Sequence, residues 1–535
     1  MSPSPAEPVR TAAGSEFDPR AARAVLLILA VMALMVTYVE TMVLPAFKQF
    51  YTFFDGAPYT TIAWILSAYL LVGTVATPIF GKLGDKYGKK RMLLIVMSIY
   101  AAAVSVAGFT PNIGDAFGLG RANEIYLLIG VRAVQGIGMA MFPLAFAMIP
   151  EVFPASRVGT AQGVVSAMFA GGAALGLAGG GYVAQGYGWQ LTYHTIIPLA
   201  VLLVILAFLV LRESPHREPK PIDIPGVTSL GIALSMFMFG ITEGVYWGWS
   251  NFSAVSWGGL PWGVPEFFIL AVVAVAFFLL WEPRAKFPIV SFAALKQRNI
   301  WVSNVNGLFA GIAMFLFFVA LVLLVENPIS PGFGLDGFQF GLVALPSAIS
   351  MLAFGPFIGR TVSRVGPKPV MVIGFGVMGI GATGLALAHG SIFSTILFTI
   401  PCMVGNVSVL IAMSNVIVLS VSPRELGIQT GMNQTFRNLG SAIGPVITTT
   451  VIASFTTAYL VGPGQSVQVP SNTGYLVVFS LAAVIALVGF VLSLALRNFR
   501  YSAEGVRNDA AAPGVLGAAS SRADESPVGA TSSDR

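Results

Sequence analysis

Fourteen apolar runs, each long enough to cross a bilayer as a helix, leave this 535-residue chain almost no other way to fold. A hydrocarbon core of about 30 Å takes roughly 20 apolar residues at the helical rise. The runs, taken here as spans 1 to 14, lie at 24–46, 60–80, 92–109, 124–149, 158–183, 192–211, 224–247, 265–281, 299–325, 338–358, 369–388, 392–421, 427–459 and 475–497. Only 10% of the chain is charged and 56% is hydrophobic. An ordinary soluble domain is about a quarter charged. The fold class expected is therefore an all-α integral membrane protein. A soluble catalytic domain needs at least about 50 residues with its own core, and no polar stretch between the runs offers one. Residues 498–535 read as a disordered tail rich in Ala, Gly, Ser and Asp. Residues 1–23 read similarly, with no cleavable signal pattern.

The positions of the Lys and Arg residues test the span count. With a cytoplasmic N-terminus, the inside segments hold Arg10, Arg20 and Arg23, the group Lys82, Lys86, Lys89, Lys90 and Arg91, then Arg157, Arg212, Arg217 and Lys220. They continue with Arg284, Lys286, Lys296, Arg298, Arg360, Arg364, Lys368, Arg424 and five in the tail, which makes 25 of 29. Outside loops keep only Lys48 and Arg121, while Arg132 and Arg437 lie within spans. A missed span would scramble this alternation, so the positive-inside pattern supports the count and places both termini in the cytoplasm. It also accounts for the net charge of +6 without nucleic acid. One cysteine, Cys402, and three scattered histidines exclude a disulfide and a cysteine or histidine metal cage.

The chain repeats itself. At an offset of 278, Gly81, Lys82, Lys86, Gly88 and Lys90 match Gly359, Arg360, Arg364, Gly366 and Lys368, with Pro78 matching Pro356 upstream. At an offset of 268, Gly159, Gly163, Gly172 and Gly176 match Gly427, Gly431, Gly440 and Gly444. Two six-helix halves follow, 24–212 and 299–497, joined by a segment 213–298 that carries spans 7 and 8. Repeated halves put a substrate path at their interface near the bilayer midplane. Spans 7 and 8 have no counterpart and are expected at the periphery.

These residues resemble a known family. Gly81, Leu83, Asp85, Gly88, Lys89 and Lys90 look like the signature loop between spans 2 and 3 of the major facilitator superfamily. Arg132, Gln135, Gly136 and Gly138 are similar to its span-4 motif. Gly163, Gly172, Gly176, Gly180 and Gly181 resemble the glycine-rich span-5 motif of its exporters, followed by Trp189 and Pro198. With fourteen spans, the chain most resembles the fourteen-span drug:proton antiporters over residues 24–500. Leu177 stands where that motif has proline, which the span-13 copy keeps as Gly444-Pro445. Gln190 and Leu191 stand where Arg-Trp is usual, and Glu40-Thr41 before Pro45 replaces the family's span-1 Asp and Thr.

Charge within the bilayer marks the candidate sites, because each centre-placed ion costs about 2.5–3.5 kcal/mol on insertion scales. Arg132 and Arg437 lie near mid-depth, and Glu40 lies in the outer third of span 1. Glu40 reads as a proton carrier whose ionisation follows hydration and nearby charge, or as a neutral group bonded between helices. Arg132 reads as a fixed charge coupling proton to substrate, or as a tie to backbone carbonyls of neighbouring helices. Arg437 attracts an anionic group or pairs with Glu40, or is structural. Gln135 and Met139 continue the Arg132 face and Asn433 that of Arg437, so Arg132, Gln135, Met139, Asn433 and Arg437 form the expected substrate cavity. Asp85 reads as a latch paired with an Arg or a helix N-terminus, within a gating motif of Gly81, Asp85, Gly88, Lys89 and Lys90. The glycines Gly163, Gly172, Gly176, Gly180 and Gly181 bare one face of span 5 for close approach, as a seal, a hinge or plain packing.

The function expected is secondary active transport. The leading form is a proton-coupled exporter of small lipophilic or cationic compounds, working by alternating access. The alternatives are a carrier of a metabolite such as an amino or organic acid and, more remotely, a transporter-fold receptor without flux. No phosphate-binding loop or H-E-x-x-H motif occurs, so no enzyme activity, metal or cofactor is expected and the proton gradient supplies the energy. The partners are a small-molecule substrate, protons and the lipid of the cytoplasmic membrane, with no nucleic acid and a monomeric state.

Overall fold

The computed structural model describes Thr11 and residues 16–508, apart from 56, 58, 215–222, 258–259, 287, 289–295, 328–330, 422–425, 463–464, 498 and 503–504. Helices occupy all fourteen runs. In the first half they are Pro19–Thr41, Tyr59–Tyr87, Lys89–Ala107, a composite over Arg121–Val152, Ala155–Tyr187 and Trp189–Val210. Ile224–Trp247 and Val264–Trp281 follow. The second half has Arg298–Glu326, Gly337–Val365, Pro367–Ala388, Ile392–Ser420, Leu426–Ser454 and Asn472–Leu494. Among the described residues, thirteen of these are long and apolar enough to cross a membrane. Leu426–Ser454, span 13, has the length but carries Gln429, Asn433, Gln434, Arg437 and Asn438, which keep it out of that set.

Helix ends follow local chemistry. Asp18 caps span 1 by accepting from the backbone N–H groups of Arg20 (2.9 Å) and Ala21 (3.3 Å), with Pro19 at the first helical position. Those two bonds hold the Asp18 carboxyl below its usual range. Gly88 and Gly366, the paired glycines of the repeat, turn the chain between spans 2 and 3 and between spans 10 and 11 with φ of +108° and +88°. Span 4 is not one helix: Arg121–Gly136 passes through a 3₁₀ turn, Ile137–Ala140, into Met141–Val152.

Each half has its own apolar core. One cluster runs from Ala22 to Leu211, and the other is drawn from 302–496 plus Leu177. The repeat recurs in the packing. Gly172 and Gly176 let span 5 meet the carbonyls of Leu34 and Tyr38 in span 1, and Gly440 and Gly444 let span 13 meet those of Leu308 and Ile312 in span 9. Thr37 and Thr41 donate at 2.7 Å to the carbonyls of Phe169 and Ala173, and Thr448 donates at 3.0 Å to that of Leu316.

Two seams join the halves. Span 5 lies along span 10, where Gly163 faces Gly355 and Gly359 and Gly181 faces Gly337. Span 13 lies along span 2, with Gly431 against Thr77 and Pro78. The span-5 glycines therefore serve two neighbours rather than one bare face: Gly172, Gly176 and Gly180 pack within the half against span 1, while Gly163 and Gly181 pack across to span 10.

Spans 7 and 8 touch both halves. Trp64 Nε1 of span 2 donates to Glu243 of span 7, and the Trp64 ring lies 4.8 Å from Phe239. Nearer the other end of these spans, Phe278 of span 8 and Val227 and Leu230 of span 7 pack with Ile428, Met432 and Phe436 of span 13. The tail expected to be disordered begins instead with a short antiparallel pair, Phe499–Ser502 with Gly505–Asn508. Residues 509–535, and 1–10 and 12–15 at the other end, lie outside the described residues.

Candidate functional site

At one end of the bundle, the loop after span 2 brings three carboxylates against helix ends and lysines. Asp85, in the last turn of span 2, is buried, and its Oδ2 accepts from the backbone N–H of Ile428 at 2.9 Å. Ile428 is the third residue of span 13, so a charge from one half meets the positive end of a helix from the other. The matching position in the second half is Ser363, whose hydroxyl donates at 3.2 Å to Gly359 of its own helix. Glu213, just after span 6, accepts from the backbone N–H groups of Lys90 (3.1 Å) and Arg91 (3.2 Å) at the start of span 3. A Cβ on Gly88 would strike that carboxylate. Lys89 is buried and pairs with Glu151 at 2.6 Å, where Ser214 also donates. Lys90 Nζ donates to the Phe208 carbonyl at 2.9 Å. Gly81 is buried in the penultimate turns of span 2.

Farther in, Arg132 is fully buried inside the first half. Its Nε donates to the Ile65 carbonyl at 3.0 Å and its Nη1 to Gln135 Oε1 at 2.8 Å, with the guanidinium 4.5 Å from the Tyr69 ring centre. Arg132 therefore ties a backbone carbonyl of span 2. Its Nη2 has no hydrogen-bond partner among the described residues. Glu40, in the last turn of span 1, is buried and lies within electrostatic range of Arg437 and then Arg132. The fully buried Tyr69 and Tyr100 lie within range of the same carboxylate.

Arg437 faces Glu40 from the second half. It is buried, and its guanidinium sits 4.6 Å from the ring centre of Phe169 in span 5. Asn433, one turn away, donates to Asn304 Oδ1 of span 9 at 2.9 Å. Asn433 and Arg437 border a small cavity between the halves, lined by Phe142, Pro143 and Phe146 of span 4, Ser166 and Phe169 of span 5, Leu410, Met413 and Ser414 of span 12, and Thr430, Asn433, Gln434 and Arg437 of span 13. About 40 Å³ of it is open to the centres of water molecules, which holds a few waters and no drug-sized ligand. A drug-sized ligand fits it only after the halves part.

Of the five residues expected in the cavity, Asn433 and Arg437 line it, and Arg132, Gln135 and Met139 do not. The reason is the direction of the shared face: Arg132 meets Ile65 and Tyr69 of span 2, Met139 meets Gly73 one turn on, and Gln135 bonds Arg132, so this face is buried inside the first half. The aromatic lining went unrecognised because 39 phenylalanines give no sequence signal for which of them face a neighbouring half. Asn406 lies in a second, smaller cavity inside the second half, beside Cys402. Among the described residues no group of three His, Cys, Asp or Glu is placed to hold a metal ion.

Two helical halves built from one repeat, sharing a polar and aromatic cavity with an arginine in its wall, have the architecture of a membrane transporter. The family model for the Major Facilitator Superfamily matches residues 29–445, with a second match over 304–523, and the chain belongs to that superfamily. It is 26% identical over 447 residues to an uncharacterized MFS-type transporter, YcnB, of Bacillus subtilis, covering 82% of this chain and 88% of that one. The tetracenomycin C resistance and export protein of Streptomyces glaucescens is 26% identical, over 74% of this chain and 70% of the relative. The multidrug transporter protein MdtP of Bacillus subtilis is 25% identical, over 73% and 68%. Among solved structures, the proton:xylose symporter XylE shares the fold with a TM-score of 0.60 at 14% identity, over 88% of this chain and 95% of that one.

Proposed function

We propose that this protein is a proton-driven exporter of small organic compounds, working by alternating access in the cytoplasmic membrane as a monomer with fourteen spans and both termini inside. The observation that carries the proposal is Glu40, a buried carboxylate within electrostatic range of two buried arginines, one from each half, of which Arg437 lines a cavity that both halves share. An ionised Glu40 holds Arg437, and a protonated Glu40 releases it. When the halves part on the outer side, Glu40 meets water, takes a proton, and substrate leaves. When they part on the inner side, the proton leaves to the cytoplasm and Glu40 and a new substrate reset the charges. One carboxylate is then occupied by a proton in one direction of the cycle and not in the other, which ties the two fluxes together. The export direction draws support from the relatives named for resistance and multidrug transport.

The test uses the purified full chain in liposomes with an imposed pH gradient and an internal pH dye. Substrate-triggered proton movement is expected from the wild type and is expected to vanish in Glu40→Gln while binding persists. Coupled movement at the wild-type rate in Glu40→Gln would remove Glu40 from the mechanism.

A further inference from the structure

The charge inside the cavity narrows the substrate, a step that rests on the transport reading above. Arg437 is the one ionisable side chain among the described lining residues, and no carboxylate lines the cavity. The arginine is packed in place rather than ion-paired at contact distance among the described residues. It is 6% exposed, its guanidinium packs over the Phe169 ring, and its Nε has no hydrogen-bond partner among the described residues. Glu40 is within electrostatic range, yet it does not border the cavity. A buried guanidinium with an unused donor is unfavourable until an acceptor arrives. The rest of the wall is aromatic and neutral: Phe142 meets Phe169 edge-on at 4.6 Å, with Phe146, Asn433 and Gln434 nearby.

We propose that the cavity takes planar aromatic compounds bearing an acidic group, a carboxylate or phenolate that bonds the Arg437 guanidinium while the ring packs among Phe142, Phe146 and Phe169. A lipophilic cation, the class expected from the family resemblance, would be brought beside a buried positive charge with no carboxylate in the wall to offset it. Guanidinium and carboxylate match in a bidentate geometry that neither an amide nor an amine reproduces. The acidic substrate and ionised Glu40 are then alternative partners of one arginine, and arrival of the first weakens the hold of the second.

Three probes with one ring system separate the possibilities: 9-anthracenecarboxylate, its neutral carboxamide, and 9-(aminomethyl)anthracene. Binding to the full chain in nanodiscs is read by fluorescence, and proton movement by the liposome assay. The carboxylate should bind about tenfold or more tightly than the amide, a ratio typical of a charge-assisted hydrogen bond. Arg437→Gln should erase that preference while leaving amide binding within about twofold, and Arg437→Lys should restore part of it. Glu40→Gln should tighten carboxylate binding by removing the competitor. Retention of the preference in a folded Arg437→Gln protein, equal or tighter binding of the amine, or no binding of any probe would overturn the assignment. Arg437-dependent binding of the carboxylate without proton movement would instead sink the antiporter reading and leave the substrate class standing.

Discussion

Replacing Asp85 by Asn removes the charge at the inner seam and keeps nearly the same shape. In the described conformation Asp85 Oδ2 accepts from the Ile428 N–H at 2.9 Å, at the start of a 29-residue helix in the other half. A hydrogen bond to a charged group contributes about 1.5–3 kcal/mol, and a carboxylate at a partly buried helix N-terminus adds up to about 2 kcal/mol. Asparagine retains an acceptor, so the loss is the charged part, about 1–2 kcal/mol. At 1.4 kcal/mol per factor of ten, the ratio of inner-open to inner-closed molecules should rise about 5- to 30-fold. Spin labels at Tyr87 and Val365, exposed repeat-related ends of spans 2 and 10, report that ratio as a distance distribution. The buried Cys402, the chain's one cysteine, is first replaced by alanine. Ligand binding is measured alongside. Unchanged distances in Asp85→Asn, or a collapse of binding with normal distances, would refute the latch.

Lys89→Met should lower thermal stability by about 3–5 kcal/mol, because it leaves the Glu151 carboxylate buried beside lost charge; the double variant Lys89→Met/Glu151→Met should recover much of it in a thermal-denaturation series. Gly176→Leu should disrupt folding by forcing span 5 off the Tyr38 carbonyl of span 1, whereas Gly186→Leu, with open space around it, should leave the size-exclusion profile and melting temperature unchanged.

Much of the scaffold was readable from one dimension because membranes impose one-dimensional rules. Length and the alternation of Lys and Arg place the helices, and the offset glycines reappear as paired contacts: Gly172 and Gly440, Gly176 and Gly444, each against a carbonyl of the first helix of its half. Asp85 meets a helix N-terminus, one of the two partners its surroundings suggested. What remained hidden depends on rotation about helix axes. Met139 keeps the face of Arg132 as its spacing implies, but that face turns to span 2 rather than to the cavity, and Phe169 lines the cavity beside Arg437 of span 13. Glu151 and Glu213 find their partners across 62 and 123 residues of sequence, from ends of other helices. Their charges are visible in the sequence, but their neighbours are not.

Spans 7 and 8 break the symmetry of the molecule seen from the lipid. They are bonded to span 2 through Trp64 and Glu243 and packed on span 13 through Phe278, so they curtain the junction of spans 2 and 13. The junction of spans 5 and 10 meets instead the short strand Phe499–Ser502, and Leu175, Tyr182, Ile349 and Phe357 on spans 5 and 10 stand exposed. Any movement of span 2 against span 13 also shears their contacts with spans 7 and 8.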